Sequence, residues 1–138
     1  MRFLVVDDDF ETRLLVQKML NPFGQVDVAT DGEEGIMAFT TSLKEGNPYS
    51  LITLDILMPN MDGQQTLREL REIEKEWGIK TDKQIKVLMI TGLDDSEEVH
   101  NAFSFGETTR FIEKPINRAV LLAEIIKLGL SLPEAKAE

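Results

Sequence analysis

The chain has 138 residues, of which 42% are hydrophobic, and a formal net charge of −10. This length predicts one domain with its own core, and the absence of cysteine excludes disulfides and thiolate metal sites. Such an acidic surface repels phosphate backbones, which argues against direct binding to nucleic acid.

Short apolar runs alternate with longer segments of helical period along the chain. In chain order the sequence predicts a strand over 3–6, a helix over about 10–20, a strand over 25–29, a helix over about 32–43, a strand over 51–54, a helix over about 63–77, a strand over 85–90, a helix over about 94–106, a strand over 110–112 and a helix over about 117–130. Asn21-Pro22, Gly46-Asn47-Pro48 and Pro59 separate some of these elements.

Acidic residues stand where helices should begin. We expect Asp9, Asp31, Asp62, Asp94 and Asp95 to cap helices, because a carboxylate accepts hydrogen bonds from the free N–H groups of a first turn. The alternation predicts an α/β fold, a doubly wound, five-stranded parallel sheet with helices on both faces. Residues 1–131 should form this domain and residues 132–138 a short tail.

Other polar residues stand at the ends of the predicted strands. Asp7 and Asp8 follow the first strand, Asp55 ends the third, Thr91 ends the fourth and Lys114 follows the fifth. The carboxyl ends of parallel strands share one edge of a sheet, and ligand crevices open at that edge. We therefore expect these five side chains to meet there.

Three converging carboxylates repel one another unless a cation or a proton relieves the repulsion. Mg²⁺ binds one or two carboxylates together with phosphate and water oxygens, whereas Ca²⁺ recruits more protein oxygens than these positions offer. The pattern thus predicts a Mg²⁺ site, with Mn²⁺ as the alternative cation. A carboxylate can also be the nucleophile of phosphoryl transfer, and the metal, Lys114 and Thr91 would meet the equatorial phosphoryl oxygens.

Several stretches carry a family resemblance. They are Phe3-Leu4-Val5-Val6-Asp7-Asp8, Val28-Ala29-Thr30-Asp31-Gly32-Glu33-Glu34-Gly35, Leu54-Asp55-Ile56-Leu57-Met58-Pro59-Asn60-Met61-Asp62-Gly63, Ile90-Thr91-Gly92 and Phe111-Ile112-Glu113-Lys114-Pro115-Ile116. With these motifs in order over roughly residues 2–130, the chain resembles the receiver domains of two-component response regulators. The resemblance implies a flavodoxin-like or CheY-like sheet with strand order 2-1-3-4-5, an order that periodicity alone does not give.

Matched by position, the resemblance makes Asp55 the phosphoacceptor. It makes Asp7 and Asp8 the acidic pair that holds Mg²⁺, Asp8 usually as a direct ligand and Asp7 often through water. The backbone carbonyl of Leu57 would complete the metal shell, and Lys114 would contact the phosphoryl group.

The resemblance also implies a two-state switch. Thr91 matches the switch hydroxyl, and Phe111 matches the switch aromatic that turns inward on activation. The surface that changes would be the fourth helix, fifth strand and fifth helix, about residues 95–130. Phe111 lacks the hydroxyl of the common tyrosine, so its inward and outward states must differ by packing alone.

Other positions lead to smaller expectations. Leu57 and Leu93 stand where polar residues of the family can help an attacking water, which predicts slow self-dephosphorylation. The Lys114–Pro115 peptide bond is expected to be cis. Position 92 is glycine where alanine is frequent, and residues 106–110 are about one residue longer than the usual approach to the fifth strand.

The resemblance implies a phosphoryl donor, either a histidine kinase or a histidine phosphotransfer protein. The chain would not be a turnover enzyme, although it would catalyse its own phosphorylation and dephosphorylation. Since no output domain follows the fold, the signal would leave by binding an unidentified protein, as in a chemotaxis-type regulator or a phosphorelay intermediate. We expect a monomer or weak dimer, located in the cytoplasm because no apolar run is long enough for membrane insertion or a signal peptide.

Two alternative functions stay open. One is a degenerate receiver that acts as an unphosphorylated interaction module, although all the expected site residues are present. The other is a phosphatase with an aspartyl nucleophile. Such phosphatases usually place a second acid two residues after the nucleophile, where this chain has Leu57.

Overall fold

The computed structural model describes residues 1–92 and 108–135. Within these residues, five strands alternate with four α-helices. The strands are β1 (Arg2–Val6), β2 (Gln25–Ala29), β3 (Leu51–Asp55), β4 (Lys86–Thr91) and β5 (Thr109–Glu113). The helices are α1 (Phe10–Leu20), α2 (Gly32–Lys44), α3 (Gly63–Glu76) and α4 (Arg118–Lys127), and short 3₁₀ turns cover Asn21–Phe23 and Thr81–Lys83.

The strands form one parallel sheet in the order β2-β1-β3-β4-β5, which confirms the predicted topology. The direction of the strand order reverses at β1, which lies between β2 and β3, so a crevice opens there at the carboxyl ends of the strands. Asp55 of β3 pairs with Ile90 of β4, so Thr91 lies one residue further toward that edge.

Apolar side chains cover both faces of the sheet. Leu4 and Val6 of β1 belong to the core layer that packs beneath α2 and α3. Phe3 and Val5 point to the other layer, which packs beneath α1 and α4. Because alternate residues of a buried parallel strand face opposite core layers, the strands read as continuous apolar runs.

The helices begin at the predicted caps. Asp9, Asp31 and Asp62 accept hydrogen bonds from the backbone N–H groups of Thr12, Glu34 and Gln65 at 2.8–3.1 Å. Asn117 caps α4 in the same way. The capping prediction is confirmed for these three aspartates, whereas Asp94 and Asp95 lie outside the described residues.

Three helices end in the same way, at a glycine with positive φ. Gly46, Gly78 and Gly129 have φ of 69°, 71° and 94° and follow the ends of α2, α3 and α4. The next residue's N–H then bonds back to the last turn, as in Ile79 N–H to Glu74 C=O at 2.9 Å. Helix α4 therefore ends at Lys127, three residues before the predicted end, because Gly129 turns the chain out of the helix.

Other predicted strand boundaries differ from the structure by one residue, including the start of β1 at Arg2 and the end of β3 at Asp55. Strand β4 extends from residue 86 to 91, one residue later than predicted, and β5 gains one residue at each end.

The helix predicted over about 94–106 lies outside the described residues, and so does Leu93. Of the helices that the structure describes, none is both long and apolar enough to cross a lipid bilayer.

Candidate functional site

Four side chains approach one another at the carboxyl edge of the sheet, beside the reversal in strand order. Asp7 and Asp8 follow β1, and Asp55 ends the neighbouring strand β3. One carboxylate oxygen from each of these three acids lies within 4.8 Å of the other two. The Lys114 ammonium lies 3.5 Å from Asp55 Oδ2. The structure thus brings together the acids and the lysine that the sequence predicted would meet.

Asp7 and Asp8 are adjacent in sequence but lie in different environments. Asp7 is fully buried, and its Oδ1 accepts a hydrogen bond from the Asp9 backbone N–H at 2.9 Å. Its Oδ2 is buried without a hydrogen-bond partner among the described residues. Asp8, in contrast, is exposed to solvent. The buried acid therefore has one oxygen available for a cation or a proton.

Asp55 is also buried, with 4% of its surface exposed. Burial raises the pKa of its carboxyl group, while the Lys114 ammonium and a hydrogen bond from the Leu57 backbone oppose that shift. Burial and, to a lesser extent, the neighbouring Asp55 charge raise the pKa of Asp7 to about 7, against the lowering effect of the hydrogen bond from the Asp9 backbone. Without a metal, the pair is therefore prone to hold one proton near neutral pH.

The donor set fits a hard divalent cation. Mg²⁺ prefers oxygen ligands and usually takes one or two carboxylates with water or phosphate. The buried Oδ2 of Asp7, a buried Asp55 and an exposed Asp8 offer carboxylate oxygens at one place, open to solvent on the Asp8 side. A cation would replace the proton that otherwise relieves the repulsion between Asp7 and Asp55.

Thr91 and Phe111, the predicted switch residues, lie on the same face of the sheet. Thr91 is two residues beyond Met89, and Met89 pairs directly with Phe111. The Thr91 hydroxyl is buried and has no hydrogen-bond partner in the part of the chain that the structure describes. Phe111 is half-buried and packs against the core layer beneath α2 and α3.

The loop on the β5 side is anchored by its backbone. The Lys114 N–H donates to the Thr91 carbonyl at 2.8 Å, which fixes the start of the lysine side chain beside β4. The Lys114–Pro115 peptide bond is cis, which confirms that prediction. On the β3 side, the Leu57 side chain is 55% exposed beside the acids.

The sequence reasoning missed two residues that shape the site. A Cβ on Gly63 would lie 2.3 Å from the Asp55 carbonyl oxygen, so only glycine lets α3 start this close to the end of β3. Arg13 donates to the Asp7 backbone carbonyl at 2.9 Å and so ties α1 to the end of β1. A glycine directly after a capping aspartate could have signalled the close approach, but no local signal marks Arg13.

Comparisons with known proteins agree with this geometry. Residues 3–126 match the response regulator receiver domain family. "Two-component response regulator 24" of Arabidopsis thaliana is 34% identical over 133 residues, which cover 91% of this chain and 82% of that protein. "Histidine kinase CKI1" of the same plant is 31% identical over 137 residues, covering 91% of this chain. The chain spans 7–12% of the length of this kinase and of the other histidine kinases at similar identity.

A solved structure gives the same result for the fold. The CKI1 receiver domain of Arabidopsis thaliana, complexed with Mg²⁺ and BeF₃⁻, superposes with a TM-score of 0.72 at 29% identity, covering 91% of this chain and 89% of that one. Family match, relatives and fold agree over nearly the whole chain, which therefore belongs to the response regulator receiver domain family of two-component signalling.

Proposed function

We propose that this chain is a phosphoaccepting switch in which Asp55 takes a phosphoryl group from a phosphohistidine. An Asp55 carboxylate oxygen would attack phosphorus, the N–P bond would break, and the leaving imidazole nitrogen would keep the electron pair. The observation that carries this proposal is the cluster of Asp7, Asp8 and Asp55 oxygens within 4.8 Å, with Lys114 3.5 Å from Asp55.

A divalent cation would be held by the carboxylates of Asp7, Asp8 and Asp55 together with the backbone carbonyl of Leu57. When bound, Mg²⁺ would supply positive charge to the phosphoryl oxygens, with Mn²⁺ as a substitute. The buried Oδ2 of Asp7, which has no hydrogen-bond partner in the described part of the chain, supports this assignment, because a buried carboxylate oxygen is costly without a partner.

Lys114 and Thr91 would hold the phosphoryl group from the β4 and β5 side. The ammonium already lies beside Asp55, so it can donate to an attached phosphoryl oxygen with little movement. The Thr91 hydroxyl has no partner among the described residues, so it can turn toward a new acceptor without breaking a hydrogen bond.

Movement of Thr91 would transmit the signal. A phosphoryl group adds about 1.5 to 2 negative charges, and Thr91 moving toward it would vacate space on the face that holds Phe111. Phe111 would then turn inward, changing the surface of β5, α4 and the segment between β4 and β5. To shift such an equilibrium from about 1:99 to 99:1 takes roughly 5.5 kcal/mol, which new charge-assisted contacts would supply in part.

The donor, a histidine kinase or a histidine phosphotransfer protein, would approach over the start of α1. Phe10, Leu14 and Leu15 of this helix are exposed by 37–64%. Leu15 also lines a shallow cleft together with Lys114 and Pro115. Exposed apolar side chains at the rim of the acceptor site are a suitable docking surface for a protein donor. The downstream partner would bind the switching surface.

Mass measurement after treatment with acetyl phosphate tests the proposal. We expect the wild type to gain one phosphoryl mass with Mg²⁺ and none in chelator, and Asp55→Asn to gain none. Asp31→Asn is the matched control, because this acid caps α2 and asparagine caps equally well. If the wild type gains no mass, or Asp55→Asn gains it equally, then the chain is an unphosphorylated interaction module or uses another acceptor.

A further inference from the structure

An apolar cavity of about 410 Å³ lies at the opposite, amino-terminal edge of the sheet, between the ends of α2 and α3. Its volume falls within the roughly 300–1,000 Å³ of small-molecule sites, which are mostly apolar with a few polar groups. The apolar walls comprise Phe39, Leu43, Pro48, Tyr49, Trp77, Ile79 and Ile85. Three of these side chains are aromatic, and one is the only tryptophan of the chain.

The helix ends explain why space remains there. Gly46 and Gly78 turn the chain sharply away at the ends of α2 and α3, so the two helices stop side by side without a further turn to fill the gap. Ile79, directly after the second glycine, forms part of the wall. Trp77 closes only one side and keeps 48% of its surface exposed, so the cavity opens to solvent.

The polar groups in the wall are already engaged, with one exception. The Glu74 carboxylate accepts from Arg71 at 2.7 Å and from the Ile85 N–H at 2.7 Å, so its charge is compensated. The Tyr49 hydroxyl donates to Asp27 at 2.7 Å, and the Arg2 guanidinium lies over the Tyr49 ring, 4.5 Å from its centre, so the opposite ring face is the part that a ligand can contact. Lys83 has no carboxylate within ion-pairing distance among residues 1–92 and 108–135.

The local charge favours an anion. Residues 76–86 contain three lysines and two acids, a net charge of +1 in a chain whose total is −10. The helix ends do not cancel this, because Lys44 and Lys75 stand in the last turns of α2 and α3 and offset the negative ends of the helix dipoles. Among the residues that the structure describes, Lys83 is the one basic residue in the cavity wall, and it is exposed to solvent.

We propose that this cavity binds a small aryl carboxylate, with the aromatic ring among Phe39, Tyr49 and Trp77 and the carboxylate at Lys83. The apolar walls supply most of the affinity, and the lysine selects an anion over a neutral or cationic analogue. Helix α3 has 14 residues, so the cavity lies roughly 20 Å from Asp55. Binding here is independent of the proposed phosphoryl transfer.

Titration of the whole chain with phenylbutyrate, phenylbutyramide and phenylbutylamine tests this site, with the emission of Trp77 as the readout. We expect phenylbutyrate to bind saturably and with the highest affinity of the three probes. Lys83→Gln should weaken phenylbutyrate binding about fivefold, as expected for a partly exposed charge pair, and leave phenylbutyramide unchanged. Lys80→Gln is the matched control, since this neighbouring lysine does not line the cavity.

Three outcomes would overturn the proposal. The first is no saturable change in Trp77 emission with any probe. The second is equal or tighter binding of the amide or the amine. The third is an equal loss of phenylbutyrate affinity in Lys80→Gln and Lys83→Gln, which would indicate a diffuse charge effect.

Discussion

At the scale of single residues, burial separates two neighbouring acids. Asp7 is buried against Asp55, while Asp8 is exposed. The repulsion that a cation must relieve is therefore concentrated in the Asp7–Asp55 pair, where burial raises the pKa of both carboxyl groups. Asp8 adds ligand oxygen but contributes less to the strain of the metal-free protein.

The raised pKa of Asp7 predicts how stability depends on pH. In the folded protein its pKa is about 7, against 3.8 for an ordinary aspartate. Between about pH 4 and 7, the folded state therefore holds a proton that the unfolded chain has lost. The free energy of unfolding thus falls as pH rises through this window. In chelator, we expect a lower melting temperature at pH 8 than at pH 5.

Two substitutions test whether the pH dependence of the melting temperature comes from Asp7 rather than from the other acidic residues. Asp7→Asn should raise the melting temperature in chelator at pH 8 by several degrees and flatten the pH dependence. Asp8→Asn, the control, should raise it less because its carboxylate is exposed. An unchanged or lower melting temperature for Asp7→Asn would mean that the buried pair is not strained.

A second buried polar group lies two residues before Asp55. The Thr53 hydroxyl is fully buried and has no hydrogen-bond partner among the described residues. Thr53→Val replaces it with an apolar group of similar shape, so we expect a gain of about 1 kcal/mol in the free energy of unfolding, measured in urea. Thr66→Val should instead destabilise, because that hydroxyl donates to the Asp62 carbonyl at 2.9 Å.

At the scale of secondary-structure elements, a buried ion pair ties α3 to the sheet. Arg71 donates to Glu74 at 2.7 Å, to the Ile85 carbonyl at 3.0 Å and to the Thr108 hydroxyl at 2.8 Å. The end of α3, the start of β4 and the start of β5 are thereby joined in one network. This network anchors β5 at the edge of the sheet opposite to the switch residues.

Removing one partner tests the importance of the network. Arg71→Met leaves the Glu74 carboxylate buried without its cation, so we expect a loss of about 3–5 kcal/mol in denaturant unfolding. The double variant Arg71→Met, Glu74→Met should recover much of this loss, because no buried charge remains. Arg68→Met on the exposed side of the same helix is the control. An equal loss of unfolding free energy in Arg71→Met and Arg68→Met would contradict the prediction.

Prediction of these elements from the sequence succeeded where the signals are local. Asp9, Asp31 and Asp62 cap helices because capping depends on three or four neighbouring residues. The predicted end of α4 lies three residues beyond the observed one because Leu128 and Leu130 continue the apolar pattern, although Gly129 has left the helix. The Arg71 network was not foreseen because two of its partners, Ile85 and Thr108, are 14 and 37 residues away from Arg71 in the chain.

At the scale of the whole molecule, the two edges of the sheet carry different chemistry. The carboxyl edge holds the buried acids, while the amino edge holds an apolar cavity near a lysine-rich segment. Trp77 lies at the second edge, roughly 20 Å from Asp55, so its emission is better suited to the cavity than to the switch.

The proposed switch makes a prediction about long-range change. In Mg²⁺ and beryllofluoride, backbone NMR shifts of β5 and α4 should change in the wild type. We expect this change to be much smaller in Thr91→Val, because valine cannot donate to the phosphoryl mimic. Thr53→Val is the matched control, as it also removes a buried threonine hydroxyl from the sheet. Equal changes in all three proteins would exclude Thr91 as the coupling residue.

By itself, the sequence determined the alternation of strands and helices, the helix starts and the set of polar residues at the carboxyl edge. Periodicity, capping and strand ends depend on residues that are close together in the chain. Only the tertiary structure decided which acid is buried, that Gly63 must be glycine, and that Arg71 joins three elements. It also decided that α2 and α3 end beside an apolar cavity. These features depend on packing between residues distant in the chain, which a local pattern does not encode.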